Sequence, residues 1–389
     1  MPGGLKYKPK PKGERPEDID ATMQPGEIRD WLHEQFFKAY TEARCGKRGT
    51  TDEHRFEINA LEDIVGLVDD VMARRYKPSR GIAFVAVKPV IREIFAAPFR
   101  DRIIHHFLFN MVAEWWDKRF IYDSYSCRKG KGTLFGVQRV AKHMQAVTKN
   151  YTEEAVIVKL DIQSYFMNLE RKKLYERVVW GLDRQFPEKG PIYEVCKYLW
   201  REVIFDVPTE GVRRRGNKRL WSKLYSKSLF NQPPGKGIVI GNLSSQLLSN
   251  IYLDQLDRFV TKELGYKHYG RYVDDFFIMV PKSEQEQALR DVRLIDDYLA
   301  SLGLPLHPRK RYIQPVRHGV PFLGVVIYPG HIVPGKRVVR NFKLAMQLCT
   351  SGRRINLESV ISYMGHLKHI NSKKLLKRVF EKFGMEYKF

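Results

Sequence analysis

Cysteine is scarce: four in 389 residues, at Cys45, Cys127, Cys196 and Cys349, far apart and with no C-x-x-C pair. This excludes a disulfide framework and a cysteine-based zinc site, and leaves reduced thiols in a cytoplasmic protein as the expectation. No apolar run reaches the roughly 20 residues that a membrane helix needs, and no leader-like segment opens the chain. The GxxxxGK[ST] spacing is missing, which excludes a P-loop. Acidic residues show the largest deficit: 44 Asp and Glu against 68 Lys and Arg, for a net charge of +24 and a pI near 9.7. An excess of that size, spread along the chain, points to a polyanionic partner, although a basic membrane-surface protein would share it.

Set against that deficit, three acids stand in apolar surroundings. Arg271-Tyr272-Val273-Asp274-Asp275-Phe276-Phe277 places two adjacent carboxylates between strand-forming runs, which predicts a β-hairpin with both acids at its tip. Two like charges at one tip repel, and a cation between or beside them relieves the repulsion; hard carboxylate oxygens suit magnesium. A solvated Asp-Asp turn is the alternative on these residues alone. A third acid changes the balance. Ala155-Val156-Ile157-Val158-Lys159-Leu160-Asp161 is a short, nearly continuous apolar run, the pattern of a buried strand that delivers Asp161 at its end. Together these acids make up the ligand set of two-metal phosphoryl transfer, with ions roughly 4 Å apart.

This arrangement resembles the palm of a reverse transcriptase. Tyr272-Val273-Asp274-Asp275 matches that family's catalytic tetrapeptide, and Asp161 with Phe166 matches its earlier aspartate motif. Other stretches follow in the family's order. Val85 to Arg102 predicts a strand pair leading into a helix, and resembles the motif whose basic residues hold the incoming triphosphate. Lys88 and Arg92 take that role, with Arg100 a further candidate. Gly303-Leu304-Pro305-Leu306-His307-Pro308-Arg309-Lys310 resembles the motif whose lysine, here Lys310, protonates the departing pyrophosphate. Phe322-Leu323-Gly324 resembles the primer-grip hairpin.

Two stretches narrow the resemblance to the reverse transcriptases of diversity-generating retroelements. One is the basic, glycine-rich loop Tyr122-Asp123-Ser124-Tyr125-Ser126-Cys127-Arg128-Lys129-Gly130-Lys131-Gly132, in which Arg128, Lys129 and Lys131 are expected at the primer and template. The other is Val239-Ile240-Gly241-Asn242-Leu243-Ser244-Ser245-Gln246, a tight turn opening a long amphipathic helix. Ordinary bacterial reverse transcriptases usually carry Gln where Ile240 stands and Ser-Pro where Ser245-Gln246 stands.

The resemblance implies an α+β, right-hand polymerase fold. A disordered basic arm (residues 1–26) precedes fingers (27–150), a palm with a basic insertion near 206–236 (151–328) and a helical thumb (329–389). It implies two Mg2+ ions, replaceable by Mn2+, on Asp161, Asp274, Asp275 and the Ile162 carbonyl. Phe166 becomes the steric gate against a 2′-hydroxyl, with Ile240, Gly241 and Gln246 beside the nascent pair. The implied partners are template RNA, cDNA, dNTPs and a basic, oligomeric accessory protein, the accessory variability determinant. The implied activity is cDNA synthesis that is error-prone at template adenines. A group II intron-like or antiviral reverse transcriptase shares part of the pattern, but Ile240 and Ser245-Gln246 weigh against it. A non-catalytic RNA-binding scaffold shares another part, and the presence of all three aspartates weighs against that.

Overall fold

The computed structural model describes residues 15–24, 26–45, 51–87, 90–350 and 357–385. Lys88 therefore lies outside the described residues. Helices α1 (Pro16–Asp20), α2 (Glu27–Ala43), α3 (Thr51–Ile58) and α4 (Ala60–Met72) open the chain. The expected strand pair follows as β1 (Ile82–Ala86) and β2 (Arg92–Ala96), leading into α5 (Phe99–Arg119). Next come α6 (Thr133–Val147), β3 (Ala155–Asp161), α7 (Tyr165–Asn168), α8 (Arg171–Gln185), α9 (Pro191–Phe205) and β4 (Arg213–Arg215). The Gly241-Asn242 turn opens α10 (Leu243–Arg258), and the acidic hairpin is β5 (Tyr269–Tyr272) and β6 (Asp275–Pro281). The remainder is α11 (Gln285–Ser301), β7 (Tyr312–Pro315), β8 (Val320–Phe322), β9 (Val325–Tyr328), β10 (His331–Pro334), α12 (Lys336–Thr350), α13 (Leu357–Leu367) and α14 (Lys373–Lys382).

These elements gather into two compact units, Met1–Arg119 with Phe166–Tyr252, and Phe120–Tyr165 with Leu253–Phe389. This division differs from the consecutive fingers, palm and thumb read from the sequence. Side-chain packing explains one departure. Val137, Val140 and Met144 on α6 join Ile157, Phe277, Met279 and Phe322 in one core, so a helix placed with the fingers belongs to the second unit.

In the first unit, α2 turns Ile28, Leu32, Phe36, Ala39 and Tyr40 inward, the i, i+4, i+8 spacing of one buried helix stripe. Phe36 meets Phe107 of α5 edge-to-face at 5.0 Å, an arrangement that adds about 1 kcal/mol to the area buried. Its sheet has the order β2-β1-β4. The basic stretch after residue 206, expected as an exposed insertion on a loop or at a helix end, supplies β4, which pairs parallel with β1.

Residues 15–24 also depart from expectation, while residues 1–14 of the same arm lie outside the described residues. Within the stretch read as a disordered arm, α1 is a turn of helix whose Asp20 is buried. Asp20 accepts hydrogen bonds from the backbone N–H groups of Gly190 at 3.0 Å and Ile192 at 2.6 Å. These are the otherwise unsatisfied amides at the start of α9, so Asp20 caps that helix from a distant part of the chain.

The second unit is built on an antiparallel sheet of order β5-β6-β3-β7. β3 is buried along nearly its whole length, which explains why its sequence is a continuous apolar run and not an alternating one. A second sheet, β10-β9-β8, shares its core through Val320, Phe322, Val325 and Ile327. Helices α12 to α14 close on their own cluster of Phe342, Met346, Val360, Leu367, Leu376 and Val379.

Candidate active site

The register between β3 and β6 pairs Asp161 with Asp275, so the strand end and the hairpin tip bring their acids side by side. Between Tyr272 and Asp275, themselves a cross-strand pair, the turn has two residues, Val273 and Asp274. Val273 has φ 58°, the left-handed region that a β-branched side chain rarely enters. Such a residue costs on the order of 1–3 kcal/mol and persists only where its surroundings hold it. The holding group is Arg271. Its Nη1 donates to the Val273 carbonyl at 3.1 Å, while its Nε and Nη2 grip the two Asp257 oxygens at 2.7 Å each. The Ile162 N–H donates to the Asp274 carbonyl at 3.2 Å, tying the tip to the end of β3.

Two ammonium groups stand against the acids. Lys310 Nζ lies 2.8 Å from Asp161 Oδ2, and Lys159 Nζ lies 2.9 Å from Asp275 Oδ2. Burial, then the neighbouring Asp161, pushes the Asp274 carboxyl up to about 6. Burial likewise raises Asp275, against the pull of Lys159. Buried carboxylates that resist ionising, with a further acid beside them, are what a divalent cation relieves, and the donors here are all hard oxygens. The set therefore fits magnesium. Among the described residues the one trio with ligand atoms all within 4.8 Å is Glu53, His54 and Glu57, so the fit of the three aspartates rests on the chemistry of their oxygens and not on a converged geometry. A cleft carries Asp161 and Asp275 together with Lys159, Arg309, Lys310 and Arg311, an acid pair ringed by cations that suits a polyphosphate beside its metal.

Other expected site residues fall into two groups. In the first unit, Phe166 and Ile240 pack against one cluster of Ala83, Phe95, Met167 and Leu229. The Ile240 carbonyl accepts the Phe95 N–H at 2.9 Å. Gly241 has φ 136°, and a Cβ there would lie 2.3 Å from the Phe95 carbonyl oxygen, so the chain passes β2 at this point only as glycine. Arg92, on β2, and Gln246, on α10, are exposed. Arg100 is already committed: it pairs with Asp70 at 2.9 Å and lies over the Tyr76 ring.

In the second unit, Arg128 folds back onto its own loop, donating to the carbonyls of Ile121 at 2.6 Å and Ser124 at 3.1 Å. Lys131 donates to the Tyr122 carbonyl and lies over that ring, whereas Lys129 is exposed. Phe322 is buried in the core, and Leu323 and Gly324 form a turn with φ 47° and 89°.

Sequence reasoning missed Lys159, Arg271 and Asp257. Lys159 had a signal, since a lysine two residues before Asp161 in an otherwise apolar strand shares that acid's face. Arg271 stood inside the quoted hairpin, but Asp257, its partner on α10, lies 14 residues earlier and is fully buried.

The family profile described as reverse transcriptase (RNA-dependent DNA polymerase) matches residues 90–327. No curated relative matches. Among solved structures, the chain is similar to telomerase from Candida albicans in complex with the TWJ fragment of telomeric RNA (13% identity, TM-score 0.44), over 80% of this chain and 56% of that one. It is also similar to apo telomerase from Candida tropicalis (12% identity, TM-score 0.44), over 79% of this chain and 61% of that one. The chain thus spans less than two thirds of either telomerase. The matched profile runs from β2 through the strand-end aspartate and the acidic hairpin to β9, and on that match the chain belongs to the reverse transcriptase family of RNA-dependent DNA polymerases, with the α+β, right-hand polymerase fold.

Proposed function

We propose that this reverse transcriptase makes error-prone cDNA from a template-repeat RNA for a diversity-generating retroelement, with misincorporation concentrated at template adenines. The observation that carries the reading is Ile240. Its turn is locked to β2 through Gly241 and the Phe95 N–H, and it shares a cluster with Phe166, the expected sugar gate. A glutamine at that position would offer an amide to fix the nascent pair; Ile240 offers only bulk. The adenine pair, with two hydrogen bonds where guanine's has three, then has the smaller margin against a mismatch.

In this reading Asp161, Asp274, Asp275 and the Ile162 carbonyl hold two magnesium ions, with manganese able to replace them. When bound, these would activate the primer 3′-hydroxyl and neutralise the phosphate. The chain's own groups do the rest. Arg92 grips the triphosphate, and Lys88 has the same role. The Phe166 ring excludes a 2′-hydroxyl, and Gln246 lies beside the nascent pair. The Lys310 ammonium passes its proton to the leaving pyrophosphate oxygen. Lys129, the Arg128 and Lys131 loop and the Phe322-Leu323-Gly324 turn contact primer and template. The partners are template RNA, dNTPs and a basic oligomeric accessory protein in the cytoplasm.

Deep sequencing of cDNA made on one template tests this. Ile240→Gln should lower the share of errors opposite adenine several-fold, where each tenfold change in discrimination is about 1.4 kcal/mol. An unchanged share at comparable yield rules the reading out.

A further inference from the structure

Two segments that carry expected site residues run side by side in the first unit. The stretch from Phe166 to Arg171 lies antiparallel to the stretch from Gly235 to Ile238, which leads into the Ile240 turn, and Glu170 stands opposite Lys236. Three backbone hydrogen bonds join them. The Ile238 N–H donates to the Phe166 carbonyl at 2.9 Å, the Gly237 N–H to the Leu169 carbonyl at 2.8 Å, and the Arg171 N–H to the Gly235 carbonyl at 2.9 Å.

The Arg171 side chain braces this ladder. Its Nε donates to the Gly237 carbonyl at 2.8 Å and its Nη1 to the Asp206 carbonyl. One planar fork thus ties the first residue of α8 to the approach of the Ile240 turn and to the chain just beyond α9. The packing is tight at that point. Gly237 has φ 79°, and a Cβ on it would lie 2.5 Å from Leu229 Cδ2 and 3.2 Å from the Met167 carbonyl oxygen.

The charge balance does not favour a cation there. Arg171 is 8% exposed, stands at the positive end of α8, and forms no ion pair among the described residues. Burial lowers its pKa; Asp206 pulls the other way, but that carboxylate is already paired with Arg80 at 2.9 Å. A buried cation without its own carboxylate costs stability. What Arg171 supplies is geometry: its fork fixes the Gly237 carbonyl against the start of α8, and through the ladder against Phe166.

We propose that Arg171 is a positioning residue for substrate selection, which sets the spacing between Phe166 and Ile240 and so couples the choice of sugar to the choice of base. The proposal rests on the reading in which Phe166 is the sugar gate and Ile240 lies beside the nascent pair. A misplacement of about 1 Å caused away from the chemistry can cost on the order of 10²-fold. Loosening the brace therefore acts on both selections at once.

Primer extension by the full chain on one RNA template, with dNTPs and rNTPs in competition, tests the coupling. Ribonucleotides are located by alkaline cleavage and base errors by deep sequencing. Arg171→Met should lower the preference for deoxyribonucleotides about fivefold and, by raising errors opposite the other three bases, lower adenine's share of errors about twofold. Arg171→Lys, which keeps the charge but not the fork, should shift both in the same directions by less, and it carries the test if the methionine variant does not fold. Both readouts are ratios on extended primers, so a smaller folded fraction does not move them. Phe166→Ala should change the sugar ratio alone, and adding Arg171→Met to it should lower that ratio no further. Ile240→Gln should change the base errors alone. Lower yield in the Arg171 variants with neither ratio moved, or with only one moved, overturns the proposal. An unchanged sugar ratio in Phe166→Ala overturns the gate reading itself, and the coupling with it.

Discussion

Two ion pairs of the second unit, Arg271 with Asp257 and Lys310 with Asp161, are built in opposite ways. The first is fully buried on both sides, bidentate, and shared with the Tyr269 hydroxyl at 2.6 Å. The second is a single ammonium, 55% exposed, on a carboxylate that is 18% exposed. A planar fork sealed from water cannot exchange its partner without leaving a buried charge alone. An ammonium on a flexible stem can step aside for a divalent cation or a phosphate. The contrast separates the charge that fixes the hairpin's shape from the charges that the proposed function assigns to the chemistry.

Removing a working acid should have the largest effect. If Asp161 is a metal ligand as proposed, Asp161→Asn keeps the shape but withdraws a ligand that no neighbour replaces, and primer extension should fall by about 10³-fold or more. Filter binding of RNA should stay near the wild-type level, since the charge excess is spread over the chain. Near-normal extension by this variant would erase the distinction drawn above. Next in size is the sealed pair. Arg271→Met leaves Asp257 buried without its fork and should cost about 3–5 kcal/mol in denaturant unfolding. Lys310→Ala, at the exposed pair, should stay within about 1 kcal/mol of wild type while lowering the extension rate about 10²-fold. Equal stability losses would mean the two pairs are not of different kinds.

The smallest expected effect is on pH dependence, in chelator, with no metal bound. Asp274 is held near 6 in the folded chain, whereas an unfolded aspartate titrates near 3.9. Between those values the folded state binds the extra proton, so the contribution of Asp274 to stability is full at low pH and is lost as pH rises through about 6. Asp274→Asn removes a carboxylate that burial keeps from ionising freely. It should raise the melting temperature by about 2–4 °C at pH 8 and by less at pH 5. A gap that does not change with pH would mean Asp274 ionises freely.

The parts legible in the sequence were those whose cause is local. The apolar run of β3, the strand formers around Asp274, the Gly241-Asn242 turn before α10 and the helical spacing of α2 each follow from neighbouring residues, and all appear where expected. The parts that were not legible depend on partners far along the chain. Nothing near Arg213 announces that it will pair with Ile82, and nothing near Asp257 announces Arg271. The contacts of Arg100 were hidden for a related reason, because the Asp70 carboxylate it pairs with and the Tyr76 ring it lies over come from well before it in the chain. The Lys310 contact with Asp161 was legible only as a role carried by a motif. Its geometry, an ammonium already resting on the acid, came with the structure.

The cap on α9 bears on how the chain is made. Asp20 is synthesised about 170 residues before the amides it satisfies, and at 5–20 residues per second that interval is roughly 9–35 seconds. For that time the start of the chain has a carboxylate whose partners do not yet exist, and the entropy of so long a loop opposes closure until the helices between are in place. The amino-terminal turn is thus a late fastening, and it closes on a unit that must first assemble without it.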